Sequence, residues 1–569
     1  MERPADESAD DSAAAARLTD LLGLLGLAGI VAGTLMLAPG DLGFDRAAAV
    51  AALLSWIPTT LPIVAIVTLA TGVELATGTV LARAIRGRPF DTLDEAILQG
   101  FVFAVIKDVL LLGLLAGFGQ FNQPLLIGLD VGILVLGAFG LRPILAPGAI
   151  PAVGGGSPFG ALLVVAWAAP ILLMLASPIV PFLDVLPNHV APAEHLRTFG
   201  ALGHLTDTQS PIYGPSRILL GYTALLGTIA TGLGLPAGQV LAGFILPSTL
   251  LTAIAIWRLA TAVGGRAIAP WALLTFAMTT SLARLSDARA TVVVLPLVAW
   301  SLAIVAERIA GAPLPQVRRA GRPLLPDGVV LGLGLGAAML MHPVIGFLAA
   351  ATVGTVVLVA PARIADLGIP ALATGVVVAV PQAATMVGMP LPTPVLLVFA
   401  AVGIGAGLAV DAIPLIRSIA VLTGRGVAVV LGLLAVVAAG PLIRAAVTGA
   451  APLVSVMELT IVASVVAVAL AARAPAARSV VLWTAIAAGF GVAALTQLVP
   501  EKGSGLLGDA LRFELPKTLQ YWVPVFVALL AAGGLAALHR TERLPLAVRG
   551  AALAAFIVAA ALPLRATPI

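Results

Sequence analysis

Between Phe182 and Arg217 the sequence reads FLDVLPNHVAPAEHLRTFGALGHLTDTQSPIYGPSR, a polar interruption in a chain that is otherwise nearly continuous hydrocarbon. It holds Asp184, Glu194 and Asp207, three of the five histidines (His189, His195, His204) and one of the three tyrosines, Tyr213. An acid such as Asp184, set just beyond the end of an apolar run, sits at a membrane interface, where partial desolvation suits it to act as a general base toward a hydroxyl. The plainer alternative is a solvated loop carboxylate. Outer loops of membrane proteins are often only a few residues, and a loop this long marks function. Glu194 and His195 fall on a short surface helix, AEHLRTFGALGHL, whose Leu196, Phe199 and Leu202 form an apolar stripe expected to face lipid. His195 and His204 read equally well as interfacial polar residues on that helix.

Three further places carry chemistry. Glu501 to Pro524, EKGSGLLGDALRFELPKTLQYWVP, contains Arg512, Lys517 and Tyr521. Its two cations suit an anionic headgroup, such as a lipid phosphate arriving from the bilayer; the alternative is snorkelling at a helix end beside an aromatic belt of Tyr521 and Trp522. LARLSDARATVVVLP places Asp287 between Arg284 and Arg289, as a helix N-cap, an ion-pair partner or a site residue. His342, in MLMHPVIG, stands between two short apolar runs, where a histidine is commonly structural. Finally, Glu74, Lys107 and Asp108 lie inside apparent spans, where an ionisable group is costly. They would form a proton or substrate pathway in a transporter or lipid flippase, or else a buried Glu74 to Lys107 ion pair joining two helices.

The elements that must position these residues follow from composition. A chain of 569 residues that is 60% hydrophobic and 10% charged cannot cover a water-soluble surface. Apolar runs long enough to cross a hydrocarbon core of about 30 Å recur from Leu18 to Leu562, about seventeen in number. The expected fold class is therefore all-α, a polytopic integral membrane protein. With no cysteine, thiolate metal sites, catalytic thiols and disulfides are excluded together. The net charge of +4 comes from arginines in short loops between spans, which orient a membrane protein and give no ground for expecting nucleic acid. The Ala, Gly, Val and Arg bias fits a GC-rich bacterial genome.

Placing basic loops in the cytoplasm gives one consistent alternation. Residues 1–17 read as a disordered acidic cytoplasmic tail and residues 18–142 as a four-span block returning to Arg83, Arg86, Arg88 and then Arg142. A cytoplasmic Pro/Gly linker follows over 143–160, and residues 161–569 form the rest. Glu307 to Arg322, Arg363, Arg417 with Arg425, Arg473 with Arg478 and Arg540 with Arg543 all fall inside. The Asp184 loop, residues 283–289, His342 and residues 497–520 fall outside. One mismatch of parity remains: Ile218 to Gly234 and Val240 to Trp257 are two runs where an odd number is required, so that one is tilted or re-entrant, or a short crossing lies near Thr198 to Gly203.

From about Ala161 onward the order of features resembles the GT-C superfamily of membrane glycosyltransferases, which includes protein O-mannosyltransferases and aminoarabinose transferases. The residues that carry the resemblance are FLDVLPNH in the first large outer loop, SPIYGPSRILLGYTALLG leading into a span, ARLSDAR, GLGLGAAMLMHP, and a basic-aromatic start to a late span, ELPKTLQYWVPVFVALLAAGGL. The resemblance implies a GT-C-like transmembrane core with a long extracytoplasmic loop carrying short interfacial helices. It implies an inverting transferase in the cell membrane that uses a polyprenyl-phosphate-linked sugar and a glycan, lipid or protein acceptor. Asp184 would be the base; His189, Glu194, Tyr213, Asp287 and His342 would contact substrate; Arg512, Lys517 and Tyr521 would hold the donor phosphate. The adjacent acidic pair of the family is missing here, because Asp184 is followed by Val185, and no metal or other cofactor is expected.

Overall fold

A computed structural model describes residues 46–140, 144–146, 190–202, 218–266, 268–269, 271–273, 289–311, 323–387, 389, 391–413, 440, 447–449, 456–473, 475–497 and 522–540. Within them the chain is all-helical and has no strand. The helices are α1 (Arg46–Arg86), α2 (Leu93–Leu115), α3 (Gln123–Gly140), α4 (Ala191–Phe199), α5 (Leu220–Leu233), α6 (Ala237–Gly264), α7 (Ala290–Ile309), α8 (Asp327–Met341), α9 (Pro343–Val359), α10 (Pro361–Met386), α11 (Val395–Ala412), α12 (Val456–Arg473), α13 (Val480–Gln497) and α14 (Val523–Arg540). Eight helices among the described residues are long and apolar enough to cross a membrane, and several shorter ones are equally apolar. The seventeen expected crossings include stretches outside the described residues.

The outer surface shows what solvent these helices meet. Leu69, Leu136 and Phe139 are 72%, 74% and 88% exposed, and α3 and α11 turn most of their apolar surface outward. In water such faces would associate; against lipid they are at no disadvantage. Inside the bundle, association rests on close packing more than on apolar burial, and small residues supply it. Along α8, Gly328, Gly332 and Gly336 face α10, and a Cβ on Gly332 would stand 2.6 Å from the Ala371 carbonyl oxygen. The glycine-rich run GLGLGAAM is thus a packing seam. A single buried core runs from Val67 to Ala532, so the helices of the N-terminal block pack directly on α5 to α8.

Charge divides the bundle into two ends. At one end Arg86 pairs with Glu95 and, at 3.4 Å, with Asp91; Arg88 reaches Asp91 at 3.0 Å. Arg258 joins Glu307 at 2.7 Å and Asp94 at 3.7 Å, Arg308 pairs with Asp366, and Arg478 donates to the Ala262 carbonyl at 3.2 Å. This belt gathers the ends of α1, α2, α6, α7, α10 and α13. The Pro/Gly linker region touches it too, through Phe90 N–H to Ile144 O at 3.0 Å and Ala146 N–H to Phe90 O at 2.9 Å. At the opposite end the turns after α2 and α4 are laced together, with Phe121 N–H on Gly200 O and Leu202 N–H on Ala116 O, each at 3.0 Å.

Helix α5 lies in Ile218 to Gly234, one of the two runs behind the parity mismatch. Leu220 N–H, at its start, donates to Gln382 Oε1 at 2.8 Å, and Gly232 O, at its finish, accepts from Gln123 Nε2 at 3.0 Å. Gln382 lies ~24 Å along α10 from the belt residue Asp366, and Gln123 opens α3 at the far end. Both ends of α5 are thus fixed in the half away from the belt.

Candidate functional site

The described residues hold one concentration of charge in the bundle interior. Lys107 Nζ lies 2.5 Å from Glu74 Oε2 of α1 and 2.6 Å from Asp130 Oδ1 of α3, with Thr77 Oγ1 at 3.3 Å. Asp108, next to Lys107 on α2, puts a carboxylate oxygen 3.4 Å from the same ammonium. Glu74, Lys107 and Asp108 are buried, and only Asp130, whose side chain is 13% exposed, touches the surface. Counting along α2 from Asp94, Lys107 stands ~20 Å above the arginine belt, near mid-height.

Local sequence explains the meeting. Gly78, one turn after Glu74, and Gly100, two turns before Lys107, face each other: a Cβ on Gly100 would come within 2.8 Å of Leu75 O, and one on Gly78 would collide with Gly100 O. With no side chain between them the two backbones approach closely enough for Lys107 to reach Glu74 directly. Gly137 does the same for α3, seating that helix on Val80 of α1. Three helices are joined through one ammonium.

The expected Glu74 to Lys107 ion pair is present, and Asp108 adjoins it. Asp130 was not anticipated, although its signal is the same as theirs: an acid inside an apolar run, PLLIGLDVGILVLGAFG.

The proposed transferase residues are distributed differently. Asp184, His189, Tyr213, Asp287, Arg512, Lys517 and Tyr521 lie outside the described residues. Glu194 is on α4, where its carboxylate pairs with Arg197 and accepts from the first N–H of α6, Ala237, at 2.8 Å. The Arg197 guanidinium and that N–H hold the Glu194 carboxyl below the usual glutamate range, in the sense expected of an anion at a helix N-terminus. Its visible work is to fasten the loop helix to the bundle. His342 is buried at the sharp turn between α8 and α9, and its Nδ1 accepts from Ile345 N–H at 3.3 Å. The two residues are engaged by different partners and do not meet through them.

Two expectations are corrected. Leu196 and Leu202 do not face lipid: both are buried, Leu196 against Gly227 of α5, while Phe199 alone of the stripe is exposed and stacks on His195 at 4.7 Å. A loop helix packed on a bundle must turn its apolar stripe inward. Trp522 is likewise no member of an interfacial belt, since it is fully buried and donates its indole N–H to Ala485 O at 2.7 Å.

Gln382 is a second residue that sequence reasoning passed over. Its amide accepts from Leu220 N–H and donates to Ile218 O, both at 2.8 Å, so that one side chain satisfies the backbone on both sides of Leu219. Nothing in the local sequence of α10 announces a partner more than 160 residues away.

The fold and these sites define the class: a polytopic helical membrane protein with a charged belt at one end and a buried ionic cluster at mid-height. No protein-family model, curated protein or solved structure matches the chain.

Proposed function

We propose that this protein is a membrane glycosyltransferase that moves a sugar from a polyprenyl-phosphate-linked donor to an extracytoplasmic hydroxyl acceptor. The observation that supports the reading is the polarity of the bundle. Arg86, Arg258, Arg308 and Arg478, all expected in the cytoplasm, gather in one belt, while the described part of the long outer loop, α4 with the turn at Gly200, is fastened at the opposite end through Glu194 and Leu202. On this reading the N-terminus and belt are cytoplasmic, and the Asp184 loop opens on the extracytoplasmic face of the cell membrane.

The chemistry follows from the residue types. The acceptor oxygen attacks the anomeric carbon and forms the new glycosidic bond while its proton passes to the Asp184 carboxylate. The bond from that carbon to the phosphate oxygen breaks, and its electron pair leaves with the polyprenyl phosphate. Arg512 and Lys517 neutralise the charge that grows there. Asp184→Asn removes the base, and loss of transfer with unchanged expression supports the assignment; full activity in that variant removes Asp184 from the mechanism.

A second reading, transport of an ion or lipid-linked substrate, is favoured by one observation: Glu74, Lys107, Asp108 and Asp130 meet inside the bundle, where ionisable groups commonly mark a pathway. Proteoliposome flux that is lost in Glu74→Gln and indifferent to Asp184→Asn would place this reading first.

A further inference from the structure

The charges of the mid-height cluster do not cancel. Glu74, Asp108 and Asp130 supply three carboxylates and Lys107 one ammonium. An ammonium has three N–H donors, and Lys107 directs them to Glu74 Oε2, Asp130 Oδ1 and Thr77 Oγ1. None remains for Asp108. Its side chain is 0% exposed and neither of its oxygens accepts a hydrogen bond, although Lys107 Nζ is 3.4 Å away. An ionised carboxylate in that position would lack both water and donors, a condition that costs several kcal/mol in a protein interior.

We infer that the cluster is a proton-binding site, with the proton held on the Asp108 carboxyl between the Lys107, Glu74 and Asp130 side chains. One added proton brings the cluster from two excess negative charges to one, and it needs no ordered water or donor to do so. A metal ion is the poorer occupant: the three carboxylates converge on the lysine, and no group of three or more acids or histidines among the described residues is spaced to share an ion. Asp130 is the cluster member nearest the surface of the bundle and lies ~10 Å along α3 from Gln123, at the end away from the belt.

Among the described residues, the other elements packed on α2 bring Arg289 at the start of α7 and His342 at the turn after α8 to within about 10 Å of this height along the helix axes. Helix α5 brings Tyr222, which lines an apolar cavity with Phe244. Arg83 and Arg86 of α1, Arg258 of α6, Glu307 and Arg308 of α7, Asp327 of α8 and Asp411 of α11 all lie toward the belt, ~20 Å from Asp108 along the helices. The charged groups clustered with Asp108 are Lys107, Glu74 and Asp130.

This inference deepens the transport reading by naming the ion, and it stands apart from the transferase reading. It is tested by infrared spectroscopy of the full-length protein in lipid vesicles, which reads a protonated carboxyl through its carbonyl stretch and requires neither flux nor transfer. The wild type at neutral pH is expected to show a buried carboxylic-acid band that is lost in Asp108→Asn. In Asp130→Asn, with one neighbouring negative charge removed, the band should disappear at a lower pH than in the wild type. Absence of the band from the wild type, or an identical band in Asp108→Asn, overturns the assignment. If Asp108→Asn does not fold, Asp130→Asn decides: an unmoved pH profile overturns it as well. A protein that binds this proton while moving nothing across the vesicle would sink the transport reading alone.

Discussion

Lys107 and Glu74 meet at 2.5 Å across the α1–α2 interface, 33 residues apart in sequence and buried on both sides. The contact depends on Gly78 and Gly100, which allow the two backbones to close up. Truncating the shared partner should do the most harm, because it leaves carboxylates buried without a cation. Lys107→Met is expected to lower unfolding stability by about 3–5 kcal/mol. Glu74→Gln, which keeps an acceptor for the ammonium, should cost clearly less. Denaturant unfolding of the two variants in detergent checks the order; equal losses would mean that Lys107 does not hold the cluster together.

Gln382 closes the start of α5 against α10. Gln382→Leu fills similar space but strands Leu220 N–H and Ile218 O, two buried backbone groups that cost about 1–3 kcal/mol each when unpaired. The expected result is a local loosening of α5, read as faster amide exchange over 218–224 with α8 and α9 unchanged. Unaltered exchange there would show that the amide is incidental.

Glu194 fastens the loop helix to the N-terminus of α6, and its contribution depends on pH. Because the folded carboxyl is held below the ordinary glutamate range by Arg197 and Ala237 N–H, its stabilisation is present at neutral pH. It is lost as the pH falls through the folded value, where the anion is protonated. The side chain is 35% exposed, so the effect on global stability is small. Protease cleavage in the loop containing α4 should increase in the wild type only once the pH falls below the ordinary glutamate range. In Glu194→Gln it should already be high at neutral pH and change little with acid.

The orientation can be read directly because the chain has no cysteine of its own. Leu324, which is exposed beside the belt, and Gln120, which is exposed at the opposite end, are suitable single reporters. In intact cells a membrane-impermeant thiol reagent should label Gln120→Cys and spare Leu324→Cys until the membrane is opened. The reverse pattern would turn the whole assignment of faces over and remove Asp184 from the extracytoplasmic side.

Much of this architecture is legible in the sequence, for physical reasons that can be named. Charged residues cannot remain in hydrocarbon without partners, so Arg86, Arg258, Arg308 and Arg478 mark helix ends wherever they occur, and the structure brings those ends together. Glu74 and Lys107 are legible as a pair because each is untenable alone inside a span. What is not legible is direction and partnership. The 14 residues of α5 are as apolar as a crossing, and the side chains that anchor its two ends, Gln382 and Gln123, are distant in sequence. Leu196 and Leu202 form a stripe whether lipid or protein covers it. Asp130 carries the same in-span signal as Glu74 and Lys107, but nothing local says which helices meet at it, and Trp522 reads as interfacial because aromatic residues near a helix start usually are.

The central claim is a transferase whose base is Asp184, and donor breakdown tests it most directly. Full-length protein in proteoliposomes, supplied with polyprenyl-phosphate-linked hexose or pentose and a mixed hydroxyl acceptor pool, is assayed for release of polyprenyl phosphate. Release by the wild type and by Glu74→Gln, abolished in Asp184→Asn, is the predicted result. No release by the wild type, or undiminished release by Asp184→Asn, would contradict it.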